Sequence, residues 1–231
     1  MTEEEKRLID HVNAVREKLD RAAEGREYTL LAATKTRSPE TINLLPSCGV
    51  FDYGENRVQE WMEKQDKIVE NLRFHQIGRL QNNKIKYIIS KVYLIHSVDN
   101  LVQAQTIDRL AAKCGRKVSC LIQVNPAGEE QKGGVSVAEL PDLYGLCREL
   151  PNLSVKGLMC MAPNSQDEKL VRGTFASARR CFEDLQRVDP EVSVLSMGMS
   201  QDAEFALMEG ATLVRLGTSL FGARVYPEQA E

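Results

Sequence analysis

The sequence contains no long hydrophobic segment, no strongly basic tract and no pair of cysteines in the Cys-x-x-Cys pattern. No apolar run approaches the roughly 20 residues that a membrane-spanning helix needs. The net charge is −3 and no stretch is rich in lysine or arginine, so there is no electrostatic case for a nucleic-acid-binding surface. We therefore expect a protein with neither a membrane nor a nucleic-acid partner.

The six cysteines and three histidines are scattered along the chain. Isolated cysteines among apolar neighbours are mostly small core residues, and this usage argues against a disulfide framework. No metal site is expected, because metal-binding motifs group their ligands. The acidic start of the chain, Met1–Lys6, is unlike a signal peptide. Together these features predict a cytoplasmic protein.

What the sequence does contain is a regular alternation of strand-like and helix-like segments. Thr2 and Glu5 form a capping box ahead of an amphipathic helix, which is predicted to precede the first strand. The eight predicted strands are Thr29–Lys35, Val50–Tyr53, Arg73–Ile77, Val92–His96, Val118–Asn125, Ser154–Met159, Val192–Met197 and Leu213–Leu216. Among the predicted connecting helices are Ser38–Cys48, Glu168–Val188 and Ser200–Glu209.

Eight strands that alternate with helices in 231 residues predict an α/β fold, a (β/α)₈ TIM barrel with an extra N-terminal helix. A doubly wound open sheet shows the same alternation. The sequence has neither Gly-x-Gly-x-x-Gly after the first strand nor Gly-x-x-x-x-Gly-Lys, and these absences favour the barrel. No linker-like segment divides the chain, so residues 1–231 are predicted to form a single domain.

The first strand is an unbroken apolar run that ends at Lys35. Such a run is typical of a strand buried on both faces, and α/β proteins bind ligands at the carboxyl ends of their strands. Desolvation there lowers the pKa of a lysine from its ordinary value of about 10.4, and a neutral amine attacks carbonyl groups. The alternative is an ordinary solvated lysine at a strand end.

The loops after strands 7 and 8 combine glycine with hydroxyl residues. Barrels often bind phosphate between these two loops. Ser200 follows strand 7 and is predicted to cap the next helix, while Gly217 and Thr218 follow strand 8. Plain helix capping is the alternative interpretation for both loops.

Arg215 interrupts the apolar strand Leu213–Leu216, and its side chain has the opposite parity to Val214 and Leu216. One of the two strand faces must be the barrel interior, where an unpaired guanidinium is costly. We consider two partners for Arg215: a buried carboxylate, or the ring nitrogen or anionic group of a ligand.

Three other polar residues lie near predicted strand ends. Asn56 either caps the following helix or faces a ligand, and capping is favoured on sequence alone. His75 and His96 are interpreted as core histidines with satisfied hydrogen bonds. Lys156 is the only rival strand lysine, but it lies early in strand 6, nearer the inactive face of the barrel.

A strand-end lysine, a phosphate cradle and an interior arginine suggest a Schiff base between the protein and a phosphorylated carbonyl compound. Pyridoxal 5′-phosphate (PLP) fits this combination, with Lys35 at the aldehyde and Arg215 at the pyridine nitrogen. The sugar phosphate of a class I aldolase also fits, although an aldolase needs a further proton-shuttling acid or second lysine.

Seven segments of the sequence resemble the YggS/PROSC family of PLP homeostasis proteins, which is similar to the N-terminal barrel of bacterial alanine racemase. The segments are Leu30–Arg37, Tyr53–Glu60, His75–Lys84, Ile95–Asp99, Ile122–Gly134, Lys156–Pro163 and Leu195–Arg224. They cover nearly the whole chain in the family's order, and the last one is highly specific. Phe74, where the family often has Trp, and Arg79 are small departures.

The resemblance implies a role for each candidate residue. Lys35 would carry PLP as a Schiff base. Ser200, Gly217 and Thr218 would bind the phosphate, and Arg215 would contact the pyridine nitrogen. Asn56 and Met199 would line the pocket. The protein would be a monomeric carrier that buffers PLP or delivers it to PLP-dependent apoenzymes.

An amino-acid racemase-like enzyme is the alternative that the resemblance leaves open. A cationic Arg215 disfavours protonation of the ring nitrogen, which weakens the ring as an electron sink but is tolerable for a racemase. Alanine racemase-like enzymes also use a tyrosine from a second domain, and only seven residues follow Arg224. We therefore expect a cofactor-binding protein that is not an enzyme.

Overall fold

The computed structural model describes residues 2–222, except for the side chains of residues 4 and 130. The end of the Leu195–Arg224 motif and the last residues of the predicted 1–231 domain lie outside this range. The described strands are β1 Thr29–Ala33, β2 Asp52–Glu55, β3 Arg73–Gln76, β4 Leu94–Val98, β5 Val118–Gln123, β6 Leu153–Met159, β7 Val194–Ser196 and β8 Leu213–Leu216. The described α-helices are α1 Glu3–Ala23, α2 Pro39–Ile42, α3 Val58–Lys64, α4 Ile85–Ile88, α5 Leu101–Lys113, α6 Leu140–Arg148, α7 Glu168–Val188, α8 Ala203–Met208 and α9 Thr218–Phe221, and short 3₁₀ turns occur at Leu45–Cys48, Gln65–Lys67, Asn82–Lys84 and Glu130–Lys132.

The eight strands form a closed parallel barrel in sequence order. β1 pairs with β8, so that Leu31 lies beside Arg215 and the barrel closes without a sheet edge. Because every strand runs in the same direction, the residues that follow all eight strands gather at one end of the barrel. The predicted TIM barrel is confirmed, and the open sheet is excluded.

Two apolar clusters show which way the strand side chains point. Val214 and Leu216 belong to the large cluster that also contains Phe175 of α7, so they face the surrounding helices. A smaller, separate cluster consists of Leu94, Leu121 and Met159, with Met161 and Val194 packed against it. Arg215, between Val214 and Leu216, therefore points to the barrel interior, as its parity predicts.

The helix that precedes the barrel begins with the predicted capping box, since Glu5 N–H donates to Oγ1 of Thr2 and Thr2 N–H donates to the Glu5 carboxylate. α1 packs against α8, α9 and the 3₁₀ turn at Leu45–Cys48. The extra N-terminal helix is thus confirmed as part of the barrel's outer layer.

The helix predicted over Ser38–Cys48 is broken in the structure. α2 ends at Ile42, and the segment resumes as the 3₁₀ turn Leu45–Cys48. Pro46 explains the interruption, because it lacks the N–H group that a continuous α-helix would require there. The predicted stop at Gly49 is right: its φ of 66° is a left-handed cap conformation.

In the part of the chain that the structure describes, no helix combines the length and apolar character needed to cross a membrane.

Candidate functional site

A cavity of about 660 Å³ opens at the carboxyl end of the barrel, between β1 and the segments that follow β6, β7 and β8. Six of the seven candidate residues line it: Lys35, Met199, Ser200, Arg215, Gly217 and Thr218. The structure therefore gathers residues that are up to 183 positions apart in sequence, from Lys35 to Thr218.

Asn56 is not among the described residues that line this cavity. The favoured capping interpretation is wrong, because α3 begins after Arg57 and shows no side-chain cap. The Asn56 carbonyl instead accepts a hydrogen bond of 3.1 Å from Nε2 of Gln76, and a Cβ at Gly78 would lie 2.5 Å from that carbonyl oxygen. Tight packing between these two loops thus fixes the backbone at Asn56.

The turn that carries Lys35 is held from below by α3. Lys35 lies two residues beyond β1 and is partly buried. The next residue, Thr36, has a φ of 65°, and its N–H donates to Oε1 of Glu60. Nζ of Lys64 donates to the carbonyls of Thr34 and Arg37, both at 3.2 Å. These bonds stabilise a left-handed conformation that is unfavourable for threonine.

Glu55, at the end of β2, is a fully buried carboxylate next to this turn. Its Oε1 accepts from Oγ1 of Thr34 at 2.6 Å and lies 2.6 Å from Nζ of Lys64, whereas its Oε2 has no hydrogen-bond partner among the described residues. Burial outweighs the nearby Lys64 ammonium and raises the pKa of Glu55 to about 7.

Ser200 ties together the two loops predicted to bind phosphate. Its Oγ accepts from the N–H groups of Gly217 and Ser219 at 3.3 and 3.2 Å, and it also hydrogen-bonds the Ser219 hydroxyl. The predicted N-cap role is wrong, because α8 begins after Asp202. Gly217 lies against β1, where a Cβ would be 3.2 Å from the Ala33 carbonyl oxygen. Glycine thereby keeps the backbone open to the cavity.

Arg215 lies in the barrel interior with 5% of its surface exposed. Nη1 donates to the carbonyl and the hydroxyl of Ser196, at 2.9 and 2.5 Å, and Nη2 donates to the Cys160 carbonyl at 3.1 Å. Within residues 2–222 it forms no salt bridge with a carboxylate, so the predicted alternative of a buried ion pair is not observed. Burial lowers the pKa of Arg215 to about 10.

His75 and His96 are buried inside the barrel and hydrogen-bonded to each other at 2.9 Å. Burial holds the pKa of both imidazoles below the ordinary value, most strongly for His96. The expectation of satisfied core histidines is confirmed. Lys156 pairs with Glu191 at 2.5 Å and does not line the cavity.

Sequence reasoning missed several charged residues around the site, among them Lys132, Asp202 and Lys64. Lys132 lines the cavity, lies 2.6 Å from Glu129 and donates to the Ala162 carbonyl. Asp202 also lines the cavity, and its Oδ1 accepts from the Met199 N–H at 2.6 Å. Lys64 is buried beneath the Lys35 turn. The signal for Lys64 was available, since it lies four residues after Glu60 on one helix face.

The fold and the site define a (β/α)₈ barrel with an amine-bearing cavity at the carboxyl end of its strands. The family model described as "Alanine racemase, N-terminal domain" matches residues 9–225. The pyridoxal phosphate homeostasis protein of Aquifex aeolicus (strain VF5) is 44% identical over 223 residues, which cover 95% of this chain and 98% of that protein. The chain therefore belongs to the alanine racemase N-terminal domain family and, within it, to the pyridoxal phosphate homeostasis proteins.

Two solved structures show the same barrel at nearly full length. An unknown protein from Bifidobacterium adolescentis has a TM-score of 0.90 and 32% identity, covering 96% of this chain and 97% of its own. PipY of Synechococcus elongatus PCC7942, solved with PLP bound, has a TM-score of 0.82 and 32% identity, covering 93% of this chain and 100% of its own.

Proposed function

We propose that this protein binds PLP in the cavity and takes part in PLP homeostasis. Lys35 would hold the cofactor through its amine, as a Schiff base with the PLP aldehyde. The observation that carries the proposal is that Lys35, the Ser200 loop and Arg215 open into one cavity. The relatives named as PLP homeostasis proteins and the PLP-bound PipY structure support it.

Each end of the cofactor has suitable residues within this cavity. We assign the phosphate to Ser200, Gly217 and Thr218, because the two hydroxyl groups suit an anion and Gly217 keeps the backbone open to the cavity. Arg215 suits the pyridine nitrogen, because a guanidinium only donates hydrogen bonds and an unprotonated ring nitrogen only accepts them. Met199 borders the cavity, and the family resemblance also assigns Asn56 to the pocket wall, although Asn56 is not among the described residues that line the cavity.

We further propose that PLP is held and passed on rather than used for catalysis. When bound, PLP supplies an electron sink for amino-acid chemistry. An Arg215 guanidinium at the ring nitrogen disfavours ring protonation and so weakens that sink. Among the described residues that line the cavity there is no tyrosine and no histidine to protonate a substrate from the opposite face. The names of the relatives also describe homeostasis rather than an enzymatic reaction.

We also propose that the protein is a monomer, acts in the cytoplasm and donates PLP to apoenzymes. All six cysteines are thiols in the structure and five of them are buried, which suits a reducing compartment. A monomer is the simplest assembly for a carrier whose cavity lies within a single barrel. Apoenzymes are the partners to which such a carrier would deliver PLP. Sedimentation analysis of the purified protein tests the monomer, and a larger assembly would contradict it.

Absorbance spectroscopy tests the binding mode. Adding PLP to the wild type should produce the visible absorbance band of a protein-bound Schiff base. Lys35→Ala should lack this band, whereas Lys156→Ala should retain it because Lys156 pairs with Glu191 outside the cavity. A wild type that stays colourless with excess PLP would contradict the proposal, and covalent capture of a sugar phosphate at Lys35 would favour the aldolase alternative.

Two assays separate a carrier from a racemase-like enzyme. A carrier should restore the activity of a PLP-dependent apoenzyme when the loaded protein is mixed with it, while protein loaded with reduced, non-transferable cofactor should not. A racemase-like enzyme should exchange the α-hydrogen of an amino acid with solvent deuterium at enzymatic rates. Such exchange with any of the common amino acids would overturn the carrier proposal.

A further inference from the structure

Five buried or partly buried side chains form a continuous hydrogen-bonded chain through the barrel interior. Arg215 Nη1 donates to Ser196 Oγ at 2.5 Å, and Ser196 Oγ lies 3.0 Å from Nδ1 of His96. Nε2 of His96 lies 2.9 Å from Nδ1 of His75, and Nε2 of His75 lies 2.9 Å from Oδ1 of Asp52. The chain thus crosses from the cavity to the amino-terminal end of β2.

The far end of this chain is an ion pair at the edge of the barrel. Oδ2 of Asp52 accepts from Nη2 of Arg73 at 2.5 Å, and the Arg73 side chain is 46% exposed. Burial by itself raises the pKa of Asp52, but the hydrogen bonds from His75 and Arg73 outweigh burial and hold that pKa below its ordinary value. Asp52 is therefore an ionised carboxylate that only accepts hydrogen bonds.

The two ends of the chain determine the position of every hydrogen between them. Arg215 only donates, so Ser196 Oγ accepts from it; Asp52 only accepts, so Nε2 of His75 must carry a hydrogen. A neutral His75 then accepts at Nδ1, which requires a hydrogen on Nε2 of His96. Nδ1 of His96 in turn accepts from the Ser196 hydroxyl. Every hydrogen bond points from Arg215 toward Asp52, with no donor facing a donor.

We propose that Ser196, His96, His75 and Asp52 are positioning residues for Arg215. Because all hydrogen bonds among them run in one direction, the Ser196 hydroxyl faces Arg215 as an acceptor, which orients the guanidinium and keeps it cationic. This inference rests on the proposed function, in which Arg215 donates to the ring nitrogen of PLP. None of the four residues lines the cavity, so their effect on the ligand passes through Arg215.

The hydrogen-bonding capacity of Arg215 shows what the chain leaves for a ligand. A guanidinium carries five N–H groups. Described partners take two at Nη1 and one at Nη2, all of them on the side of Ser196 and Cys160. Nε–H and the second hydrogen of Nη2 have no hydrogen-bond partner among the described residues, and Arg215 lines the cavity. The chain thereby fixes which face of the guanidinium meets a ligand.

Nitrogen NMR of the PLP-free protein tests the chain without reference to binding. Long-range ¹H–¹⁵N correlation spectra should show both His75 and His96 as neutral imidazoles that carry their hydrogen on Nε2. In Asp52→Asn, the nitrogen shifts of His96 should change although two hydrogen bonds separate it from residue 52. A charged imidazole, a hydrogen on Nδ1 of either ring, or His96 shifts indifferent to Asp52→Asn would overturn the proposal.

Binding of two cofactor analogues then tests the action on Arg215. The probes are PLP and 1-deaza-PLP, in which a C–H replaces the ring nitrogen. The wild type should prefer PLP by about tenfold, the scale of one hydrogen bond to a charged group. Asp52→Asn and Ser196→Ala should each reduce this preference at least about threefold. A merely structural defect weakens the binding of both probes by the same factor and leaves the ratio of the two affinities unchanged.

Ser97→Ala is the matched control for these variants. Ser97 is a buried serine beside His96 on β4, but its hydroxyl donates to the Gly78 carbonyl outside the chain. Its analogue preference should equal that of the wild type. A preference unchanged in Asp52→Asn and Ser196→Ala would overturn the proposal. If the wild type binds neither probe, the proposed function fails. The NMR result still decides whether the hydrogen-bonded chain from Arg215 to Asp52 exists.

Discussion

Nζ of Lys64 lies 2.6 Å from Oε1 of Glu55, in a buried ion pair directly beneath the turn that presents Lys35 to the cavity. The same ammonium donates to the carbonyls on either side of Lys35, at Thr34 and Arg37. A single buried lysine therefore satisfies the backbone around the lysine that we propose to bind PLP. This arrangement couples the stability of the barrel to the shape of its binding site.

Replacing Lys64 should destabilise both the fold and the site. Lys64→Met removes the donor to the Arg37 carbonyl and one of the two donors to both the Thr34 carbonyl and the buried Glu55 oxygen, and we expect the free energy of unfolding to fall by about 3 kcal/mol. Urea denaturation at neutral pH measures this change. Lys18→Met, at an exposed position of α1, is the control and should change stability little. A loss of less than about 1 kcal/mol in Lys64→Met would contradict the structural role assigned to Lys64.

Glu55 should make stability depend on pH near neutrality. Its pKa in the folded state, about 7, lies above its ordinary value of 4.5, so folding favours the protonated form. This contribution is fully present below pH 4.5, is lost as the pH rises to about 7 and then stays constant. It amounts to about 3 kcal/mol over that range.

Glu55→Gln should abolish this pH dependence, because the amide does not ionise. Relative to this variant, the wild type should lose free energy of unfolding between pH 4.5 and 7, as urea denaturation at several pH values would show. Glu63→Gln, at an exposed position of α3, should retain the wild-type profile. Parallel profiles for the wild type and Glu55→Gln would show that Glu55 ionises normally.

Two glycine-to-alanine changes should have opposite effects on stability. Gly157 in β6 has a φ of 148°, and a Cβ there would overlap sterically with the carbonyl group of Val194 on β7. Gly157→Ala should therefore lower the free energy of unfolding by about 3 kcal/mol or more. Gly173 lies exposed in α7 with nothing near its would-be Cβ, and Gly173→Ala should raise stability by about 0.5–1 kcal/mol. Thermal denaturation of both variants checks the two signs.

Ser200→Ala should weaken PLP binding without unfolding the protein. The change removes the acceptor for the N–H groups of Gly217 and Ser219, so the two phosphate-binding loops lose their link. We expect the dissociation constant for PLP, measured by absorbance titration, to rise about tenfold. Ser193→Ala, in the exposed loop before β7, should bind PLP like the wild type. Equal affinities in the two variants would remove Ser200 from the proposed phosphate site.

The barrel was predictable because its strands are apolar and its helices amphipathic, and this alternation has few three-dimensional solutions. Strand boundaries were less predictable where polar residues continue a buried strand. β2 was predicted at Val50–Tyr53, but the observed strand is Asp52–Glu55. It continues to Glu55 because Gly54 packs against Leu31 and Ile77 and because Glu55 pairs with Lys64. Such compensation arises from tertiary contacts that sequence periodicity does not record.

The cavity was predictable from the residues that follow β1, β7 and β8, because parallel strands bring those loops together. The polar interior was harder to foresee. The parity of Arg215 indicates that it points inward, but its partners are Ser196 on β7 and Cys160 directly after β6, which offer carbonyl and hydroxyl oxygens. The connection from His96 to Asp52 depends on strand register, which the sequence pattern leaves open.

Borohydride reduction of the PLP-loaded protein, followed by peptide mass spectrometry, tests whether Lys35 binds PLP covalently. Reduction converts the C=N bond into a stable C–N bond at whichever amine has reacted. We expect a phosphopyridoxyl group on the peptide that contains Lys35, and its loss from that peptide in Lys35→Ala. An unmodified Lys35 in protein saturated with PLP would contradict covalent binding at Lys35.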